Sequence, residues 1–474
     1  MVLMLDDFMT RRIFRGIAAC LLFALGLYSA TANAVEASAS IRCQPLPVAL
    51  PVDRVWGGVQ VEFDSVETDD FVYTAYYDAE RWLAISQINK CSGKVNKVRL
   101  PSRFFGWDSH NSIVLALDAA GLLHVSGNMH VSQLIYARMD SKDDLASLGL
   151  LRPMLGREEE RATYPRFFRF PDGALGFSYR FGSSGDGKEV VNRFENGRWV
   201  RWLDQALFAP AGTGRPINAY HTGFVQGKDG FFHVAWVWRA SPHVETNFHI
   251  NYARSRDLKF WQDSSGRNIV LPISTANAEV VDPVPQGSGL FNNIRLGFDA
   301  QGRVLISYLK FDAQGYSQLF HARREADGWR KYQSTDWKYR WDPRGVNTIF
   351  REIVFSGVEV RGGRLLESVT QPEMGSAILK FSPNTLKLDS VIKNEEWEPV
   401  SKFQRPSMPG AVLNRQLVRT ADGTVSRNRA ISWLTHPADN HDQVRKCTRE
   451  GLGCNFFSDL FLHSSSGVSH ELGK

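Results

Sequence analysis

The chain has 474 residues, 56 Lys and Arg against 50 Asp and Glu, a formal charge of +6, and 43% hydrophobic residues of which many are aromatic. That balance excludes a disordered or strongly acidic chain, and the basic excess is too diffuse for nucleic-acid binding, which needs clustered Lys/Arg and a recognisable module. It is compatible with an anionic substrate met in a mildly basic cleft.

The first residues read as a targeting segment. Arg11, Arg12 and Arg15 precede the apolar run Ile17 to Leu27, and Ala32-Asn33-Ala34 supplies a small-x-small cleavage pattern. Residues 1–34 are therefore expected to be a signal peptide and residues 35–474 a single exported domain, periplasmic or extracellular, with no membrane association after cleavage and a monomeric state. No later run is apolar enough to span a bilayer. Four cysteines then remain, Cys43, Cys91, Cys447 and Cys454. In an oxidising compartment they imply two disulfides, and the short Cys447/Cys454 spacing favours that pair with Cys43/Cys91 among three connectivities.

Further along, turns of the type Asp-(x)-Gly recur: Asp118 to Gly121, Asp172-Gly173, Asp229-Gly230, Asp299 to Gly302, Gly362-Gly363 and Asp422-Gly423. Each is followed by a short run rich in β-branched and aromatic residues, such as Phe231-Phe-His-Val-Ala-Trp236 or Arg303-Val-Leu-Ile-Ser-Tyr308. Repeating units of several short strands, with no convincing amphipathic helix, imply an all-β fold, a seven-bladed β-propeller once a unit near Gly57 to Tyr76 is added. A sandwich or separate β-domains is the alternative, disfavoured because no Pro/Gly/Ser-rich linker interrupts the repeats.

The blade geometry places chemistry at one rim. Asp108-Ser-His110-Asn111 and Gly127-Asn128-Met-His130 flank a hairpin built from Ile113–Leu117 and Leu122–Ser126, so His110 and His130 are expected to face each other across its open end. In the next blade Tyr179 and Arg180 lie near the end of a rising strand and Arg193 on the descending one. In the blade after it, Tyr220 and His221 precede the Asp229-Gly230 turn by about as much as Trp238 and Arg239 follow it. The expected catalytic set is His110, His130, Tyr179 and Arg193, with Asn111, Asn128, Arg180, Tyr220, His221, Trp238 and Arg239 binding substrate. His124 and His233, in mid-strand, read as structural, and His249, His321, His436 and His441 have no such support.

Imidazoles, a phenol and guanidinium groups without paired carboxylates suit β-elimination at a uronic acid better than glycoside hydrolysis. The proton α to the sugar carboxylate becomes removable once a cation such as Arg193 neutralises the developing enolate, and a histidine or tyrosine can take that proton and return one to the departing oxygen. Two rival readings are a sialidase-like hydrolase and a non-catalytic propeller that binds an anionic glycan. The nearest approach to an Asp-box, Ser255 to Trp261, lacks the glycine and is one residue short, which weakens the first.

These motifs, with Ser178-Tyr-Arg180, Gly185-x-Gly187, Asn192-Arg-Phe194, Trp238-Arg239 and Asn251-Tyr-Ala-Arg-Ser255, resemble the BNR-4 type propellers over roughly residues 105–265. That group includes ulvan lyases and lyases cutting rhamnosyl-glucuronate linkages in arabinogalactan. The resemblance implies a seven-bladed propeller, elimination beside a uronate in an anionic polysaccharide or oligosaccharide, and catalytic roles at His110, His130, Tyr179 and Arg193. It implies no cofactor for the chemistry; some relatives hold a structural metal, calcium or zinc, whose ligands the sequence does not place.

Overall fold

The computed structural model describes residues 46–184, 187–209, 217–393, 408, 410–445 and 456–464, all within the unit that begins at Cys43. The expected signal peptide, Cys43, Cys447, Cys454 and Gly185 lie outside these residues, and with them the expected cysteine pairings.

Among the described residues the fold is all-β; the helical segments are two short turns, Leu145–Leu148 and Val244–Thr246. The strands form six sheets. In the largest, the first strand, Ala49–Trp56, runs antiparallel to the last, Phe457–Ser464, with Ala49 opposite His463 and Trp56 opposite Phe457. Two antiparallel sets of four strands meet in this sheet through a short parallel contact, Val66 with Arg419 and Glu67 with Thr420. The first and last described strands are thereby tied together.

The strand Phe232–Arg239 shows why the sheets pack face to face. All eight of its residues are buried. Alternation sends Phe232, Val234, Trp236 and Trp238 to one side, against Phe170 and Val191, and Ala235 and Val237 to the other, against Ile250, Ile306 and Tyr308. A sheet covered on both faces needs an unbroken apolar run, and each large side chain so buried contributes about 2–3 kcal/mol.

The recurring turns form as the sequence implies. At Gly121 and Gly302 the backbone is left-handed, φ 78° and 77°, a conformation glycine adopts without a Cβ penalty. Asp118 Oδ1 accepts from the Ala120 and Leu122 amides, and Asp299 Oδ1 from Gln301 and Arg303. The same device recurs where the sequence reading had not placed it: Asp312 accepts from Gln314 and Tyr316. It closes the far end of Val304–Phe311, the strand that begins after the Asp299 turn, so Asp-Gly chemistry alone does not say which end of a sheet a turn occupies.

Candidate active site

The loop between Val95–Arg103 and Ile113–Leu117 carries the first histidine. Tyr77 donates its hydroxyl to the Asn111 carbonyl at 2.7 Å, and Arg81 lies over the Trp56 ring at 4.1 Å and donates to the Gly106 carbonyl. Within the loop, Asp108 Oδ1 takes the His110 amide at 2.9 Å and the His110 Nδ1–H at 2.5 Å.

The second histidine arrives differently from the expectation of one shared ladder. Pairing in that hairpin ends at Ile113 and Gly127, and His130–Ser132 leaves it to pair with the next sheet, His130 opposite Thr163. The diversion runs through left-handed backbone at Asn128 and at Val131, φ 58° and 52°. For β-branched Val131 that conformation is strained, and it is held by a 2.8 Å bond from its amide to Thr163 Oγ1. His130 Nδ1 then reaches the other carboxylate oxygen of Asp108. The two imidazoles stack at 4.4 Å between centroids, 26° apart, with Nδ1–H on Asp108 in both and Nε2 left for a ligand. Two imidazole hydrogen bonds outweigh burial and hold Asp108 well below the usual carboxylate range.

The next residue in the cluster is Tyr164, its ring 5.8 Å from that of His110. Pro165 follows it, and the ladder shifts register between Thr163 and Arg166, as a proline inside a strand requires. Tyr164 sits in this bulge at φ 58°. Across the ladder from Thr163 is Arg180, whose guanidinium carbon lies 4.8 Å from the Tyr164 ring centre.

Arg180 is 6% exposed. Its Nε has no partner, and no ion pair to it is found among the described residues. Beyond Tyr164 comes Tyr220, 6.3 Å away ring to ring. Arg239 stacks on Tyr220 at 4.1 Å, donates to its oxygen at 3.3 Å, and is otherwise held by the amide oxygens of Asn247 and Asn292. Burial opposes ionisation of Tyr220, but Arg239 and Arg180 outweigh it and pull the phenol below its ordinary value. Burial and Tyr220 push Tyr164 the other way.

Of the residues expected from sequence, the structure joins His110, His130, Arg180, Tyr220 and Arg239 in this strip. Asn111 and Asn128 lie in the loops that carry the histidines, their amides engaged with the Asp108 carbonyl and Ser102 Oγ. The others are elsewhere. Tyr179, next to Arg180 on the strand, points to the opposite face, fully buried, with its hydroxyl on the Glu158 carbonyl and its pKa pushed up to about 12 by burial.

Arg193 pairs across the ladder with Gly176, whereas Arg180 pairs with Glu189. That difference puts Arg193 about 13 Å nearer the Asp172-Gly173 turn, where it bridges Asp172 and Glu195 and lies over Phe170 and Trp202. His221 is buried, its Nε2 3.0 Å from both Arg166 Nη1 and Glu189 Oε1 and its Nδ1 accepting from the Gly223 amide. Trp238 is core. Residues the sequence reading did not assign are Asp108, Tyr164 and Thr348. Pro165 was a readable signal for the bulge; Thr348, 3.4 Å from His110 Nδ1 and 3.0 Å from Ser109 Oγ, is 238 positions away and gave none.

Asp108, His110 and His130 are also the group that could gather around a metal ion. Ligands of a tetrahedral zinc stand roughly 3.3 Å apart and are deprotonated where they bind. Here Nδ1 of His110 and Oδ1 of Asp108 are 2.5 Å apart, so the cluster is closed by its own hydrogen bonds. Calcium, which takes oxygen ligands, fits it less well still. No step of the chemistry is assigned to a metal.

Among the described residues, an all-β chain of mainly antiparallel sheets that brings a histidine pair and two buried guanidinium groups together defines a repeat-built β-protein. The family model for BNR repeat-containing proteins matches residues 71–337, and the chain belongs to that family. No curated protein matches it. Among solved structures, the polysaccharide lyase Uly1 superposes with a TM-score of 0.55 at 14% identity, covering 89% of this chain and 100% of its own. A PL25 ulvan lyase gives 0.52 at 11% identity, over 81% and 92%, and was also solved with -[GlcA(1-4)Rha3S]- bound. At these identities the likeness is one of fold.

Proposed function

We propose that this protein is a polysaccharide lyase that cleaves beside a uronic acid, in a rhamnose-uronate type linkage, by β-elimination. The observation that carries the reading is Arg180, a buried guanidinium with no ion pair among the described residues, set against Tyr164 and within one ring of the histidine pair. A buried charge left unpaired is expensive unless a ligand completes it, and a uronate carboxylate matches the guanidinium fork.

In this reading Arg180 and the Tyr164 phenol neutralise the carboxylate as its α-proton leaves. The histidine pair protonates the departing glycosidic oxygen. Asp108 balances one positive charge, so one imidazolium can be held ready without a second beside it. The catalytic Tyr and Arg are thus Tyr164 and Arg180 in place of Tyr179 and Arg193. Glu189, opposite Arg180 in the ladder, lies 3.0 Å from His221, and no pair of free carboxyl groups of the kind a glycosidase uses is found in this strip among the described residues.

The fold likeness to ulvan lyases agrees with a uronate polysaccharide as substrate. Counting the largest sheet as two blades makes seven in all, and we propose that arrangement, export of the mature chain and disulfide pairing of its cysteines as parts of the same reading.

The test is a panel of ulvan, gum arabic, pectin and glycosaminoglycans, followed by the absorbance of an unsaturated uronate. A rise with ulvan or gum arabic supports the reading. Binding without any turnover on the whole panel would favour the glycan-binding module.

A further inference from the structure

Tyr220 differs from the other buried tyrosines. Tyr76 and Tyr308 donate their hydroxyls to Asp53 and Asp282 at 2.7 and 2.6 Å, and in both burial and the neighbouring carboxylate push the phenol up. The oxygen of Tyr220 instead accepts from Arg239 Nη1 at 3.3 Å and shares a 3.0 Å hydrogen bond with the Ser184 hydroxyl, in which either can donate, with the Asn218 amide facing it as well. The charged or titratable groups turned toward it are Arg239 from its own sheet, Arg180 and Tyr164 from the neighbouring one. No carboxylate bonds to it among the described residues. Arg239 is 9% exposed and its hydrogen-bond partners are the neutral oxygens of Asn247 and Asn292 plus Tyr220 itself. A guanidinium this buried needs a negative partner, and among the described residues the phenol oxygen of Tyr220 is the ionisable group that Arg239 hydrogen-bonds.

We propose that Tyr220 works as a phenolate, the ion-pair partner of Arg239, and is the catalytic residue that takes the proton α to the substrate carboxylate. This rests on the lyase reading above. In the step, the C–H bond α to the carboxylate breaks and its proton goes to the Tyr220 oxygen, giving the phenol. The electron pair moves into the carboxylate as an enolate held by Arg180 and Tyr164. The pair then forms the ring double bond as the glycosidic C–O bond breaks, and the leaving oxygen takes a proton from the histidine pair. Tyr220 and the imidazole return to their starting states by proton exchange with water.

The two tyrosines divide the work because their environments separate them. Burial and the neighbouring phenol shift Tyr164 upward, which suits it to donate; Arg239 and Arg180 shift Tyr220 downward, which suits it to accept.

Two readouts test this. Near-ultraviolet titration of the wild type minus Tyr220→Phe should show one tyrosinate forming below the ordinary phenol value of 10.0, and the Tyr164→Phe variant should keep that band. On a substrate found by the panel, Tyr220→Phe should lose on the order of a hundredfold or more in kcat with KM little changed. A difference titration with no tyrosinate below the ordinary value overturns the phenolate, and a Tyr220→Phe variant that folds and turns over normally overturns the base. The titration needs no turnover. A wild type that shows the band but cleaves no uronate polysaccharide would therefore refute the lyase reading, and the base role with it, while leaving the ion pair standing.

Discussion

His110 and His130 stack 4.4 Å apart with both Nδ1 atoms on the single carboxylate of Asp108. One negative charge serves two imidazoles, so in the proposed mechanism the pair should act as one acid-base unit. An Asp108→Asn side chain has one acceptor oxygen and no charge; it can hold one ring and cannot balance an imidazolium. Turnover should fall by about a hundredfold or more, as when the carboxylate that orients a catalytic histidine is neutralised. Steady-state kinetics on the cleaved polysaccharide check this, and unaltered kcat would detach Asp108 from the mechanism.

Arg180→Ala should separate function from stability. Binding and turnover should both fall, because the carboxylate contact exists in the ground state and strengthens as the enolate forms. Thermal stability should hold or rise, since a buried charge without a partner is removed. A cooperative loss of several degrees in Tm would show that Arg180 is paired in the free protein after all. Gly187→Ala offers an independent route: a Cβ there would lie 2.6 Å from Arg180 Cδ and must displace its stem.

Tyr179 and Arg193 should behave as structural residues. Tyr179→Phe removes one hydrogen bond to the Glu158 carbonyl and should lower stability by about 1 kcal/mol. Arg193→Ala loses partly exposed ion pairs and ring stacking, again about 1 kcal/mol. Neither should change kcat more than about twofold. Urea denaturation together with kinetics decides; a large loss of kcat in either variant with stability intact would restore the roles implied by the family resemblance.

The reason those two looked catalytic is instructive. Spacing about a hairpin turn put the histidines at the same end, because the turn sits where Asp and Gly put it, but His130 reaches His110 by leaving that ladder for the next sheet. The same counting failed one blade on, where Tyr179 and Arg193 were matched as if symmetric about their loop; Tyr179 pairs with Val190, and alternation turns it into the core. The residue that does approach His110 is Tyr164, brought there by a bulge at Pro165 that breaks the two-residue period on which strand reading depends. Thr348 comes from the connection between Gly328–Gln333 and Val354–Phe355, and periodicity carries no information about where such a connection crosses a residue far away in sequence.

Acid should loosen the join between the chain ends. His463, on the last strand, bonds Ser432 Oγ at 2.7 Å, and burial, helped by Arg415, lowers its pKa from 6.5 to about 4. Between those values the unfolded chain binds the proton and the folded one does not, so this contribution to stability is full above the unfolded value and is lost as pH falls toward about 4. Buried His124, His221 and His233 are shifted in the same direction and add to the trend. The urea midpoint should fall across this window, and His463→Asn should reduce the slope. A slope unchanged by the substitution would remove His463 from the effect.

The central claim, cleavage by elimination at the Arg180 cleft, is tested most directly by running the reaction in heavy-oxygen water and weighing the fragments. Elimination breaks the glycosidic bond without water, so the products should carry no solvent oxygen, should show an unsaturated uronate at the new non-reducing end, and should vanish with Arg180→Ala. Solvent oxygen incorporated at the cleaved bond, with no unsaturated ring, would mean hydrolysis and would contradict the account.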